Sequence, residues 1–119
     1  MGNGDELHID VNKVSAELRI RPEIYMRIVS SFTSSLPGKL TRLNEALSVN
    51  DRDQMRMILH EIKGTAGNLR LETISKPQEV MHVAVKAGED TKQLSRYFQD
   101  LYTASQKLVE YVAKMSNPN

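Results

Sequence analysis

The sequence contains no cysteine and no tryptophan, and aromatic residues make up only 5% of it. Without cysteine there is no disulfide framework and no thiolate metal site, which fits a reducing, cytoplasmic setting. An excess of one charge is also missing. Sixteen Lys and Arg stand against 15 Asp and Glu, a formal net charge of +1, and no run of basic residues occurs. Nucleic-acid binders normally carry a clustered basic excess, so no nucleic-acid partner is expected. No apolar run approaches the roughly 20 residues of a membrane span, and no signal-peptide core follows Met1, so membrane insertion is not expected. Position 6 is Glu6, where a myristoylation signal needs Ser or Thr. No Gly-rich phosphate cradle or metal-binding carboxylate cluster is visible, which argues against an autonomous ATP-dependent kinase. His60-Glu61 is not followed by the second histidine of a zinc-protease helix. No bound cofactor or metal is therefore expected in this chain.

What the 119 residues do contain is helical rhythm. Asp10 can cap a short helix carrying Val11, Val14 and Leu18. Arg21-Pro22 breaks it, and Pro22 suits the first turn of a second helix. That helix carries Ile24, Ile28, Phe32, Leu36, Leu40, Leu43 and Leu47, with Pro37-Gly38 in its middle as a point of bending. Ser48-Val49-Asn50-Asp51 is a turn. A third helix carries Met55, Ile58, Leu59, Ile62, Ala66 and Leu69. A fourth, from Glu72-Thr73 to about Ala87, offers Ile74, Val80, Val83 and Ala84 to the core. Ala87-Gly88-Glu89-Asp90 closes it, and a last helix carries Leu94, Tyr97 or Phe98, Leu101, Leu108 and Val112. The expected fold is all-α, an antiparallel four-helix bundle with a short additional N-terminal helix. Residues 1–8 read as a flexible tail, 9–116 as the bundle domain and 117–119 as a frayed end.

The stretch "HEIKGTAGNL", residues 60–69, places two glycines inside the third helix, at a cost of roughly 1 kcal/mol each relative to Ala. On a wheel of about 100° per residue, Met55, Ile58, Ile62, Thr65, Ala66 and Leu69 share one arc. Arg56, Lys63, Gly64 and Gly67 fall within about 60° of His60, on the opposite side. His60 should therefore project into solvent, with bare backbone at Gly64 and Gly67 on its own stripe. Lys63, at the i+3 position, can swing its ammonium toward anything attached to the ring. Histidine, with an ordinary pKa near 6.5, offers a neutral nucleophilic nitrogen at pH 7. Its attack on a phosphoryl donor gives a labile phosphoramidate. Gly67-Asn68 also admits a second reading as a plain helix C-cap. His8 and His82 lack comparable neighbours and read as structural or surface residues.

"LHEIKGTAGNL" resembles the H-x-x-K-G-[ST]-[AS]-x-x-[LIM] signature of histidine phosphotransfer (HPt) domains, the intermediates of phosphorelays. "FTSSLPGKLTRLNEAL", "SVNDRDQM" and "KAGEDTKQLSRYFQDLYTASQKLVEYV" resemble the family's second helix, the turn into its histidine helix, and its closing hairpin with the last helix. The resemblance extends over residues 9–115. It implies that His60 accepts a phosphoryl group from a receiver-domain aspartyl phosphate and passes it to another receiver. It implies that Lys63 stabilises the phosphorylated state, that Gly64 leaves room for the receiver, and that Gly67 and Asn68 belong to the same surface. Arg56 and Met57 flank the His60 face as candidate docking residues. The implied partners are receiver domains and a hybrid sensor kinase, with Mg2+ held by the receiver and not by this chain. Arg70 departs from the family by standing where many members have glycine, and Pro77 is unexpected early in the fourth helix. Two classes of function follow: a phosphoryl carrier that turns over no small-molecule substrate, or a helical module that docks a receiver without being phosphorylated. A monomer is the expected state, since no second sustained apolar stripe stands out.

Overall fold

The computed structural model describes residues 7–116. Among them are five helices and no strand: α1 (Val11–Leu18), α2 (Pro22–Ser48), α3 (Arg52–Asn68), α4 (Glu72–Lys86) and α5 (Thr91–Ser116). Residues 1–6 of the expected tail, and the expected frayed end at 117–119, lie outside the described residues. The tail's last part is held: Leu7 packs against the core. Just beyond it, the buried Ile9 donates its backbone N–H to Tyr111 Oη on α5 at 3.1 Å.

Four of the five helix starts follow from local sequence signals, and α4 starts after Leu71 without a side-chain cap. The Asp10 carboxylate accepts from Lys13 N at 3.1 Å, Asp51 from Gln54 N at 3.1 Å and Asp90 from Gln93 N at 2.9 Å. These side chains satisfy donors that the first helical turn leaves without a partner. Pro22 opens α2 at the position that needs no N–H, and Arg21 before it is extended.

The first four helices end alike. After α3, Leu71 N reaches back to Ala66 O at 2.8 Å and Arg70 N to Gly67 O at 3.1 Å. The corresponding pairs close α1, α2 and α4, the Schellman pattern. It requires one left-handed residue, supplied by Arg19 (φ 60), Asn50 (φ 56), Arg70 (φ 61) and Gly88 (φ 80). Only the last is glycine. Arg70 thus occupies a conformation that glycine adopts without penalty, which is the physical content of its departure from the family pattern.

α2 runs unbroken through Pro37-Gly38, and α4 through Pro77. Pro37 has no N–H to offer the carbonyl of Thr33, one turn back, and the Pro37 carbonyl itself accepts from Thr41 Oγ1 at 3.0 Å. α2, α3, α4 and α5 touch in a closed ring, α2 on α3, α3 on α4, α4 on α5 and α5 on α2, while α1 packs on α2. The core they enclose includes Leu36, Leu43, Met55, Ile58, Leu59, Ile62, Ile74, Met81, Leu94, Leu101 and Leu108, all fully buried.

Two stripes differ from expectation. On α2 the inward positions are Tyr25 and Val29, and Ile28 is 41% exposed. The Tyr25 hydroxyl donates to Leu69 O at 2.7 Å, so in the first two turns the inward positions lie one residue later than the aliphatic pattern, while Phe32, Leu36, Leu40, Leu43 and Leu47 are buried as expected. On α4, Val80 and Val83 are each 51% exposed. Their expected places are taken by Gln78, Met81, His82 and Val85. A hydrophobicity pattern overlooks this face because two of its members are polar.

Candidate functional site

α3 buries Met55, Ile58, Leu59, Ile62 and Ala66 and turns His60 outward as an exposed residue. Lys63, Gly64, Gly67 and Asn68 are exposed with it, and so are Arg56 and Met57 one turn earlier. Every residue that the sequence assigned to the site therefore lies on the solvent side of one helix.

A Cβ built on Gly64 or Gly67 would meet nothing within 4 Å. Neither glycine is required by packing inside this chain, and neither has a positive φ. Gly67 lies inside the helix rather than at its cap, since the left-handed closing residue is Arg70. Gly38 on α2 is equally unhindered, so open space alone does not mark a site. Gly64 and Gly67 differ by standing one and two turns after an exposed histidine on its own stripe.

The flanks of the stripe are charged. Toward α4, Lys63 Nζ lies 4.0 Å from Glu79 Oε1, with 56% and 53% of the two side chains exposed. Toward α2, Glu61 Oε1 accepts from Lys39 Nζ at 3.2 Å and lies 3.9 Å from Arg42 Nη1. Arg56 pairs with Asp53 one turn back on α3. Arg52, at the start of α3, donates to the carbonyls of Val85 and Glu89 and pins that end of α3 to the end of α4.

Behind the stripe sits a buried polar pair, Gln78 and His82, that the apolar pattern of α4 passes over. Gln78 Nε2 donates to Leu59 O, the carbonyl of the residue preceding His60, at 3.0 Å. The same nitrogen lies 3.3 Å from His82 Nδ1. Gln78 is fully buried and His82 is 8% exposed. Burial pushes the His82 pKa below its ordinary value, and Lys86, Lys63 and His60 add to that, against an opposing pull from Glu79. The available signal was the i,i+4 spacing of Gln78 and His82 between Ile74 and Val85. Among the described residues no group of three His, Cys, Asp or Glu side chains is placed to hold a metal ion. Also among them, no helix is long and apolar enough to cross a membrane.

An exposed imidazole followed on its own stripe by Lys63 and by glycines at the next two turns suits group transfer to or from another macromolecule. The family model of the Hpt domain matches residues 27–108, a span that holds most of α2, all of α3 and α4 and most of α5. The chain belongs to the Hpt domain family, whose members are phosphocarrier modules of histidine phosphotransfer in phosphorelays and interact with receiver domains. No curated protein and no solved structure matches the chain significantly.

Proposed function

We propose that this chain is a phosphorelay carrier, built as an antiparallel four-helix bundle of α2 to α5 with α1 appended, in which His60 is the phospho-acceptor. The observation that carries this reading is the exposure of His60 on a stripe whose glycines meet nothing in their own chain. The unprotonated ring nitrogen attacks the phosphorus of a receiver's aspartyl phosphate. The N–P bond forms, the P–O bond to the aspartyl group breaks, and the carboxylate leaves. The reverse step on a second receiver returns the chain to its starting state. Positioning and electrostatics dominate phosphoryl transfer, and the receiver's Mg2+ belongs to the partner.

Lys63 meets the charge of the phosphoryl group. Two unit charges at 4 Å attract by about 4 kcal/mol at an effective dielectric of 20, but at this exposure the net value falls to about 0–1 kcal/mol. Arg56, Met57, Gly64, Gly67 and Asn68 form the surface on which a receiver docks. The donor side of the relay is the receiver of a hybrid sensor kinase, and the carrier acts as a cytoplasmic monomer.

The test is incubation with a receiver domain carrying labelled phosphate. Acid-labile, base-stable label on the wild type and none on His60→Gln supports the carrier. Receiver binding by the wild type without label establishes a docking module instead.

A further inference from the structure

His82 is buried, polar and unused by the transfer step, and the atoms around it are unevenly paired. A backbone carbonyl can only accept, so the contact to Leu59 O fixes which end of the Gln78 amide is the NH2. The neighbouring His82 Nδ1 therefore accepts, and the ring is neutral with its proton on the other nitrogen. The remaining amide atom, Gln78 Oε1, is buried with no hydrogen-bond partner. A buried unsatisfied acceptor costs roughly 1–3 kcal/mol, so its presence needs an explanation. Here it lies on the same planar amide that contacts His82 Nδ1. A protonated Nδ1–H could not face the NH2, but a tilt of the amide offers it Oε1 while Nε2 keeps Leu59 O. The pair thus has a place ready for a second protonation state.

We propose, resting on the carrier reading, that His82 takes up a proton from solvent on Nδ1 when His60 is phosphorylated, and that the new Nδ1–H donates a hydrogen bond to Gln78 Oε1. The groups acting on His82 are Lys86 and Glu79 from its own helix and Lys63 and His60 from α3, and α5 adds none to that set. In the unphosphorylated chain burial first, and then the cations Lys86 and Lys63, oppose a positive charge on His82. A phosphoryl group on His60 brings about −1.5 to −2 charges to a residue whose charge already acts on His82, and it favours the imidazolium against those cations. The carrier then has two neutralising devices, an exposed Lys63 in front of the phosphoryl group and a buried imidazolium behind it. By linkage, a lower pH favours residence of the phosphoryl group on His60, and a higher pH favours its departure.

The test is an NMR titration of the His82 ring in the wild-type chain, bare and phosphorylated with phosphoramidate through a catalytic quantity of a receiver domain. The expected result is about a tenfold rise in the proton affinity of His82 on phosphorylation, with a matching change at the Gln78 side-chain amide. A His82 titration that stays within about twofold while His60 carries label overturns this inference and leaves the carrier reading intact. Absence of label on His60 removes the carrier reading and this inference with it. A second readout is the equilibrium share of label between receiver and carrier from pH 6 to 8. It should depend more weakly on pH in His82→Gln, and equal dependence in both chains overturns the proposal. The wild-type titration decides alone if that variant does not fold.

Discussion

Lys63 Nζ stands 4.0 Å from Glu79 Oε1, an ion pair joining α3 to α4 with both side chains more than half exposed. Such pairs contribute about 0–1 kcal/mol, so the lysine is tethered weakly enough to leave its carboxylate for a phosphoryl group. Lys63→Ala should shorten the phosphohistidine lifetime or slow transfer by up to about fivefold, with a melting temperature close to wild type. Glu79→Gln should act in the opposite direction, because Lys63 then has no competing anion. Decay of label in the isolated carrier checks both, and equal lifetimes in all three chains remove Lys63 from the mechanism.

The glycines give a prediction in which stability and function change in opposite senses. Neither Gly64 nor Gly67 has a neighbour that a Cβ would strike. Gly64→Leu should therefore raise stability by about 0.5–1 kcal/mol through helix propensity, while lowering the transfer rate at least tenfold by blocking receiver approach. Gly38→Ala is the control, since Gly38 is equally open but lies on α2. It should stabilise without slowing transfer. Urea midpoints and transfer rates measured on the same samples give both signs.

Arg70 carries a left-handed backbone at the close of α3 with φ 61, a conformation that costs a non-glycine residue about 1 kcal/mol. Its side chain returns little, through a 3.3 Å contact with Asn68 O and an exposed pair with Glu17 at 3.8 Å. Arg70→Gly should stabilise the chain by about 0.5–1 kcal/mol, read as a higher urea midpoint with an unchanged slope.

His82 makes stability depend on pH with a definite sign. Burial, followed by Lys86, sets its folded pKa below the ordinary 6.5. Between those two values the unfolded chain binds more protons than the folded one, so stability is full above pH 6.5 and falls as the pH drops through that window. Melting temperatures at pH 7.5 and 5.5 should show this decline in wild type and a smaller one in His82→Gln.

How far the sequence alone reaches depends on the element. The turns before α3 and α5 were legible because they are written in capping residues, Asp51 and Asp90 at the starts and Asn50 and Gly88 at the ends, whereas α3 closes on Arg70 and α4 opens after Leu71 with no side-chain cap. The α3 stripe was legible because its apolar residues and its glycines fall on opposite arcs. The α4 face was not, because Gln78 and His82 point inward and Val80 and Val83 outward. A count of apolar positions cannot anticipate a polar pair whose burial is compensated by the carbonyl of Leu59 on another helix. On α2 the stripe from Phe32 to Leu47 is buried as its spacing indicates, and only the first two turns were missed, for a related reason. Tyr25 turns inward to reach Leu69 O, a partner 44 residues away, and periodicity holds no record of such a contact.

The measurement closest to the centre of the account is mass-spectrometric mapping of phosphate on the chain after contact with a phosphorylated receiver, under conditions that preserve phosphoramidates. The account predicts modification at His60 and none at His8 or His82. Phosphate on either of those residues, or none anywhere while the receiver loses its own to hydrolysis alone, would contradict it.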